Sequence, residues 1–167
     1  IIENSNIFKM MQKHHFSSYE DFWKWSVTNK EKFWSETIKN LGIQFDQPYI
    51  SVVDISKGVE QTQWLYGSKL NIIDSCFQND NDAIAVVYQK EGVSIQKVSQ
   101  KKLESLVNRI ANSLRNLGVY ECDKIAIDMP MTLEAVAIYL AAIKAGNPVA
   151  TIADSFTPNE ISVRLKI

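Results

Sequence analysis

The chain has 167 residues, about the size of one domain with its own core, and its 46% hydrophobic and 22% charged residues are ordinary for a globular protein. Eighteen basic and nineteen acidic residues give a net charge of −1 without a basic block, which argues against nucleic acid as a partner. No apolar run approaches the roughly 20 residues that cross a bilayer, so no membrane partner is expected.

The first predicted elements are two short helices. Ser18 and Asp21 form a capping box that predicts the first helix, and Thr28 with Glu31 predicts a second one ten residues later. Gly42 is placed to end the second helix. Residues 1–78 as a whole predict a helical and irregular extension that wraps the body of the protein.

Two features of this extension could hold a ligand. His14 and His15 are adjacent, so their side chains diverge, and no acidic or cysteine cluster stands at metal-ligand spacing; a solvated pair is the alternative to a metal site. Trp23, Trp25 and Trp34 could stack on a ligand ring or form a buried aromatic face. We predict no metal site here.

A polar turn at residues 78–82 is the predicted boundary, and residues 79–167 form the predicted α/β body. Residues 83–88 and 93–98 are β-rich and are joined by a turn containing Gly92, which predicts a hairpin. Ser99 then caps an amphipathic helix that Gly118 ends.

The two faces of this amphipathic helix differ in chemistry. Its apolar face is expected to be buried and comprises Leu103, Leu106, Val107, Ile110, Ala111, Leu114 and Leu117. Its basic face, with Lys101, Lys102 and Arg109, either attracts phosphates or is simply solvated.

The last third of the chain reads as strand, helix and strand. Residues 125–129 form an apolar run that predicts a buried strand, and Thr132 can cap the helix that follows. Residues 135–143 are apolar throughout, so this helix is expected to be nearly inaccessible between layers. Gly146 ends the helix, and residues 149–153 predict the second strand.

A further helix start completes the unit. Thr157, Pro158 and Glu160 supply an N-cap, a first-turn proline and a capping-box glutamate. We therefore predict an α/β fold, with a parallel βαβ sheet flanked by helices, a β-hairpin and the helical extension.

Catalytic motifs are absent from the sequence. The six glycines stand singly, so no glycine-rich phosphate loop is formed, and no nucleophile elbow is found. From the residues alone we predict neither a catalytic constellation nor a metal site.

Several short motifs nevertheless carry a family resemblance. Residues 143–146, followed by a strand and Asp154, resemble the second core motif of AMP-forming adenylate enzymes, and residues 98–103 stand where that superfamily has its first core motif. Residues 128–131 and 156–158 resemble the short-chain acyl-CoA synthetase branch. Plant-type acyl-activating enzymes are similar in the same motifs.

The front of the chain agrees with this resemblance. The segments that resemble acetyl- and acetoacetyl-CoA synthetases are residues 25–27, 33–34, 53–58 and 64–71. The resemblance covers residues 17–167, and several motifs in the right order are more specific than any single one. It implies that the chain is the incomplete N-terminal subdomain of a larger fold.

The resemblance implies a reaction as well. Such enzymes convert a small-molecule carboxylate, ATP and CoA into acyl-CoA, AMP and pyrophosphate, with Mg²⁺ as a further cofactor. Their ATP-binding loop and their catalytic lysine have no match in this chain, so the 167-residue piece alone is expected to be inactive. The alternative is a non-catalytic α/β interaction or binding module, and the fragment is expected to self-associate.

One candidate cofactor-binding site follows from the same resemblance. Asp154, Ser155 and Phe156 come directly after a parallel strand, at the carboxyl end where ligands gather in open sheets. The matching loop of acetyl-CoA synthetases contains glycines and lines the tunnel for the pantetheine arm of CoA. Asp154 and Ser155 replace those glycines here, and capping of the next helix is their alternative role.

The cysteine pattern bears on the compartment. Cys76 and Cys122 lie far apart in sequence and belong to no pairing motif, which favours a reducing environment. We expect a cytoplasmic protein; the plant-type resemblance leaves a peroxisomal address open.

Overall fold

The computed structural model describes residues 2–166 and divides into two compact units, of which the first ends at Lys69 and the second begins at Leu70. Each unit has its own helices and sheets. The extension over residues 1–78 and the body over residues 79–167 stay a prediction as functional domains.

The first unit is mainly helical. Its elements are a 3₁₀ turn Ile2–Asn4, the helices α1 (Asn6–Lys13), α2 (Tyr19–Thr28) and α3 (Lys30–Asn40), the antiparallel strands β1 (Ser51–Asp54) and β2 (Gln63–Tyr66), and a second 3₁₀ turn Val59–Gln61 between the strands. Ser18 caps α2 by accepting a hydrogen bond from the Asp21 N–H, as the capping box predicts.

The second predicted capping box is wrong. Thr28 is the last residue of α2, and its hydroxyl donates to the carbonyls of Lys24 and Trp25 one turn earlier. Asn29 precedes α3 and makes no side-chain cap hydrogen bond. A threonine hydroxyl can accept a hydrogen bond from a backbone N–H that follows it, or donate one to a backbone carbonyl of the preceding turn. The hydroxyl of Thr28 donates to the preceding turn.

The aromatic residues of the first unit form a cluster within it. Phe22 is only 4% exposed and has T-shaped contacts with Phe16 and Phe33, while Trp25 lies beside the same rings. The packing interpretation therefore holds for Trp25. Trp23 remains half exposed, so the sequence pattern overstates the buried face.

The second unit is the α/β part. Its elements are α4 (Ile72–Cys76), β3 (Ile84–Tyr88), β4 (Gln96–Ser99), α5 (Gln100–Asn116), β5 (Ile125–Asp128), α6 (Leu133–Lys144), β6 (Val149–Ile152) and α7 (Pro158–Arg164). Strands β3 and β4 form the predicted antiparallel hairpin. Strands β5 and β6 are parallel, with Ile125 opposite Val149 and Asp128 opposite Ile152, so the predicted βαβ unit is confirmed.

The core of this unit lies between α5 and α6. Its buried members are Leu103, Val107, Ala111, Ala137, Ala141 and Ala145. The predicted apolar face of α5 accounts for half of them. Leu117 is the exception, at 80% exposure, because α5 ends at Asn116 and Leu117 is the C-cap residue beyond its last turn.

Helix α6 is less enclosed than its composition predicts. Ala137, Ala141 and Ala142 are fully buried, but Tyr139 is 41% exposed. Leu140 is half-buried and packs against the α5–α6 cluster. One face of α6 consists of alanines and lets a neighbouring helix pack closely, while the face with larger side chains stays partly exposed. Hydropathy alone does not distinguish these two faces.

One asparagine binds the carboxyl end of α6, and a second joins the loop after α6 to the loop before β5. The Asn71 amide donates to the carbonyls of Ile143 and Lys144, at 3.0 and 3.2 Å. The buried Asn147 amide donates to the carbonyls of Tyr120 and Asp123, at 2.6 and 3.0 Å. These bonds fix the loops that lead into β5 and β6, which carry the candidate site.

Candidate functional site

A groove of about 690 Å³ opens beside the parallel strand pair. Because β5 and β6 run in the same direction, their carboxyl ends meet at one edge of the sheet, where open α/β sheets bind ligands. Side chains of β5, α6, β6 and the segments after the strands line this groove: Ile127, Met129, Met131, Ala135, Val136, Tyr139, Leu140, Thr151, Ile152, Ala153, Asp154 and Phe156.

The groove is apolar except at a few points. Among its lining residues, Asp154 is the one carboxylate, and Thr151 and Tyr139 contribute hydroxyl groups. A mostly apolar channel with a small number of polar groups is typical of sites for organic ligands. The groove therefore suits a ligand that is extended, largely uncharged and able to make a few hydrogen bonds.

A tight turn follows β6 and places the predicted residues. The Phe156 N–H donates to the Ala153 carbonyl at 3.0 Å, so Asp154 and Ser155 occupy the two central positions of a β-turn. Neither residue has a positive φ, so the backbone conformation of this turn does not require glycine. What the replacement of glycine changes is the space that the two side chains occupy.

The three predicted residues do not share one position. Asp154 and Phe156 line the groove, whereas Ser155 is exposed and does not. The structure thus brings two of the three together at the sheet edge. Their role in binding CoA stays a prediction.

The start of α7 is capped by its own residues. The N–H and the hydroxyl of Thr157 both donate to Glu160 Oε2, at 2.7 and 2.8 Å. The backbone hydrogen bond from Thr157, followed by that from its hydroxyl, lowers the pKa of Glu160 below its ordinary value. The capping role considered for Asp154 and Ser155 is filled by Thr157 and Glu160.

Arg164 contacts the groove wall from the far end of α7. Its guanidinium carbon lies 4.0 Å from the centroid of the Phe156 ring, and its Nη1 donates to the Glu160 carbonyl at 3.1 Å. Sequence reasoning missed this residue. The signal was a basic residue in the last turn of a short helix whose first turn is adjacent to Phe156.

Other groove residues were also missed by the sequence interpretation. Met129, Met131 and Tyr139 stand next to or within apolar runs that were assigned to the core. Met131 is 91% exposed and Tyr139 is 41% exposed, so neither side chain fills the core. No sequence pattern separates an apolar residue that lines a groove from one that fills a core.

The described residues, 2–166, offer neither a metal centre nor a membrane-spanning helix. No group of three or more His, Cys, Asp or Glu side chains is placed to hold a metal ion in that range. His14 instead lies 2.7 Å from a carboxylate oxygen of Glu36. No helix of the described part is both long and apolar enough to cross a membrane.

A parallel βαβ unit with an apolar groove at the carboxyl ends of its strands is an arrangement typical of ligand-binding α/β domains. The chain belongs to the AMP-binding enzyme family, whose profile matches residues 74–166. The profile of the acetyl-coenzyme A synthetase N-terminus matches residues 19–76. The two profiles together take in almost all of the chain after the first helix.

Named relatives agree with this assignment. The chain is 39% identical over 165 residues to the probable acyl-activating enzyme 18, peroxisomal, of Arabidopsis thaliana, covering 93% of this chain and 22% of that protein. It is 35% identical over 132 residues to acetoacetyl-CoA synthetase of Macaca fascicularis, covering 77% of this chain and 20% of that protein. The chain thus spans about a fifth of the length of these relatives.

A solved structure shows the same fold. Acetoacetyl-CoA synthetase from Streptomyces lividans superposes with a TM-score of 0.87 over 99% of this chain and 27% of that chain, at 24% sequence identity. The predicted resemblance to adenylate-forming enzymes and the predicted fold class are therefore confirmed.

Proposed function

We propose that the chain forms the first part of an AMP-forming acyl-CoA synthetase, which joins a small-molecule carboxylate to CoA with release of AMP and pyrophosphate. The observation that carries this proposal is the order of the two profile matches, residues 19–76 and then 74–166, along one continuous chain. The names of the relatives, an acyl-activating enzyme and an acetoacetyl-CoA synthetase, support the same reaction class.

Within that enzyme, the groove is proposed to receive the pantetheine arm of CoA. The arm is a long, flexible and mostly uncharged chain with a few amide groups. An apolar channel with one carboxylate and two hydroxyl groups fits such a chain. Asp154 and Phe156 would contact it, and Ser155 stays exposed beside it.

The described residues offer no comparable site for the ATP and Mg²⁺ of the reaction. Adenylation requires neutralisation of phosphate charge by cations and backbone amides. The sequence has no glycine-rich phosphate loop, and residues 2–166 contain no carboxylate cluster for a metal. We therefore assign no step of ATP chemistry to residues of this chain.

The compartment is part of the proposal. Cys76 and Cys122 are both free in the described structure, and we propose a reducing compartment, the cytoplasm. The Arabidopsis relative is named as peroxisomal, which keeps the peroxisome as the alternative.

The test begins with the coding sequence beyond the codon of Ile167. We expect it to continue through a Thr/Ser/Gly-rich loop that contains a lysine. The protein encoded by the complete frame should catalyse carboxylate-dependent exchange between pyrophosphate and ATP with acetate, propionate or acetoacetate, and should form a CoA thioester.

The 167-residue chain serves as the matched control. It is expected to show only background exchange, because it lacks the phosphate loop and the catalytic lysine. Pyrophosphate exchange above background by this chain would contradict the proposal that residues outside it carry out the ATP chemistry. A stop codon directly after Ile167 would instead favour the non-catalytic binding module.

A further inference from the structure

An aromatic side chain belongs to the wall of the groove at the end of β6. Phe156 is half-buried, lines the groove and is the last residue of the β-turn after β6. Its backbone is fixed by the hydrogen bond to Ala153, but this bond does not fix the ring. The orientation of the ring therefore depends on contacts of the side chain itself.

We propose that Arg164 is a positioning residue that holds the Phe156 ring in the wall of the CoA groove. The guanidinium carbon lies 4.0 Å from the ring centroid, well inside the roughly 6 Å range of cation–π contacts. A planar guanidinium can also stack on an aromatic face, which the ammonium of lysine cannot do. This inference rests on the proposed function.

The position of Arg164 is itself fixed by the cap of α7. Arg164 Nη1 donates to the Glu160 carbonyl, so the guanidinium is held at a second point besides the ring. Glu160 in turn is anchored by two hydrogen bonds from Thr157. A continuous set of contacts therefore runs from the helix start through Glu160 and Arg164 back to Phe156.

Arg164 has little to do with the core of the unit. Its side chain is exposed, and it lies outside the buried cluster between α5 and α6. Its replacement should therefore leave the fold intact and act on the groove. This separates a positioning role from a general structural role.

The test uses the protein encoded by the complete frame and the variants Arg164→Ala, Arg164→Lys and Phe156→Leu. The Kd of CoA is measured by calorimetry, and the KM values of CoA, ATP and the carboxylate are measured by turnover. Arg164→Ala should raise the Kd and the KM of CoA about two- to fivefold, the size expected for loss of an exposed cation–π contact. Arg164→Lys should have a smaller effect, and the KM values of ATP and the carboxylate should not change.

A double variant distinguishes positioning from direct contact. If Arg164 acts through the ring, adding Arg164→Ala to Phe156→Leu should cause no further loss of CoA affinity. Arg115→Ala is the control, because Arg115 is an exposed arginine in the last turn of α5, away from the groove. It should bind CoA like the wild type.

The possible failures have different signatures. An unchanged Kd in Arg164→Ala, or the same loss in the Phe156→Leu background as in the wild type, would overturn the inference. Pyrophosphate exchange needs no CoA, so its absence in the wild type would reject the proposed function instead. If Phe156→Leu lowers the midpoint of thermal unfolding, Phe156→Tyr, which keeps the ring, should restore both folding and the response to Arg164→Ala.

Discussion

At the scale of single residues, Glu36 is a carboxylate of the first unit that contacts two basic side chains. Lys13 Nζ lies 2.6 Å from its Oε1, and His14 Nε2 lies 2.7 Å from its Oε2. The hydrogen bond from Lys13, with that from His14, lowers the pKa of Glu36 below the ordinary 4.5. The His14 ring also lies 4.6 Å from the Trp25 ring, so these contacts connect α1, α2 and α3.

We predict that Glu36→Gln destabilises the chain at neutral pH by about 1 kcal/mol, the size of a partly buried charged hydrogen bond. A carboxylate with a lowered pKa in the folded state contributes stability above its unfolded pKa and loses it as the pH falls through the folded pKa. The difference between wild type and variant should therefore begin to shrink as the pH falls below 4.5, and should vanish below the lowered pKa of the folded state. Urea unfolding over a pH series measures it.

The matched control for this prediction is Glu20→Gln. Glu20 pairs with Lys24 at 2.8 Å, but both side chains are well exposed, so the change should stay within about 0.5 kcal/mol. Equal stability of wild type and Glu36→Gln at neutral pH, or a difference that grows as the pH is lowered, would contradict the stabilising role of the Glu36 carboxylate.

At the scale of elements, the α5–α6 contact holds the second unit together. Ala137 and Ala141 on α6 have no side chain beyond Cβ, and both are fully buried. Small residues at a helix contact let the two axes approach closely, so the larger side chains of α5, Leu103 and Val107, fill the space between them. The large side chains that fill the contact between the two helices therefore come from α5.

Leu103→Ala should lower the free energy of unfolding by about 2–5 kcal/mol, as other buried leucines do when truncated. Leu103 is 5% exposed, whereas Leu117, the C-cap residue directly after α5, is 80% exposed. Leu117→Ala should therefore change stability by less than about 0.5 kcal/mol. Urea unfolding measures the free energy of unfolding of both variants. An equal loss in the two variants would show that Leu103 does not belong to the buried layer between α5 and α6.

The same elements show what the sequence could predict. Local hydrogen-bond signals were reliable at Ser99, Thr132 and Thr157, because each cap involves residues within one helical turn. Thr28 was assigned wrongly because its hydroxyl had two local partners to choose between. Local signals therefore predict helix starts well unless two of them compete.

The candidate site was predictable only in part. Asp154 and Phe156 could be found because they follow a strand, and the end of a parallel strand is a general place for ligands. The contributions of Tyr139 and Arg164 depend on how separate helices pack against that turn. Such contacts between distant residues leave no periodicity in a single sequence.

At the scale of the whole molecule, the parallel sheet is small and open. In the part of the chain that the structure describes, β5 and β6 pair only with each other. Exposed apolar side chains lie nearby, with exposed fractions of 91% for Met131, 61% for Val163 and 60% for Leu165. Free strand edges and apolar patches of this kind favour association with other chains.

We predict that the 167-residue chain self-associates through residues 149–167 at roughly tens of micromolar, the range in which exposed edges and apolar surface drive association. From the sequence, the apolar patch in this segment is expected to comprise Ile161, Leu165 and Ile167. Ile161 is half-buried, Leu165 is exposed, and Ile167 lies outside the described residues. Sedimentation velocity over a concentration series should show species larger than a monomer. Val163→Glu should shift the distribution towards the monomer, because it places a charge within the patch.

The control for this prediction is Val59→Glu, which places the same charge on a valine of the first unit that is 73% exposed. It should leave the association unchanged if the contact lies in residues 149–167. An equal effect of both variants would mean that added charge alone keeps the chains apart. A monomer at all concentrations that binds no hydrophobic dye would mean that the sheet edge is already covered, and would favour a self-contained module over an enzyme fragment.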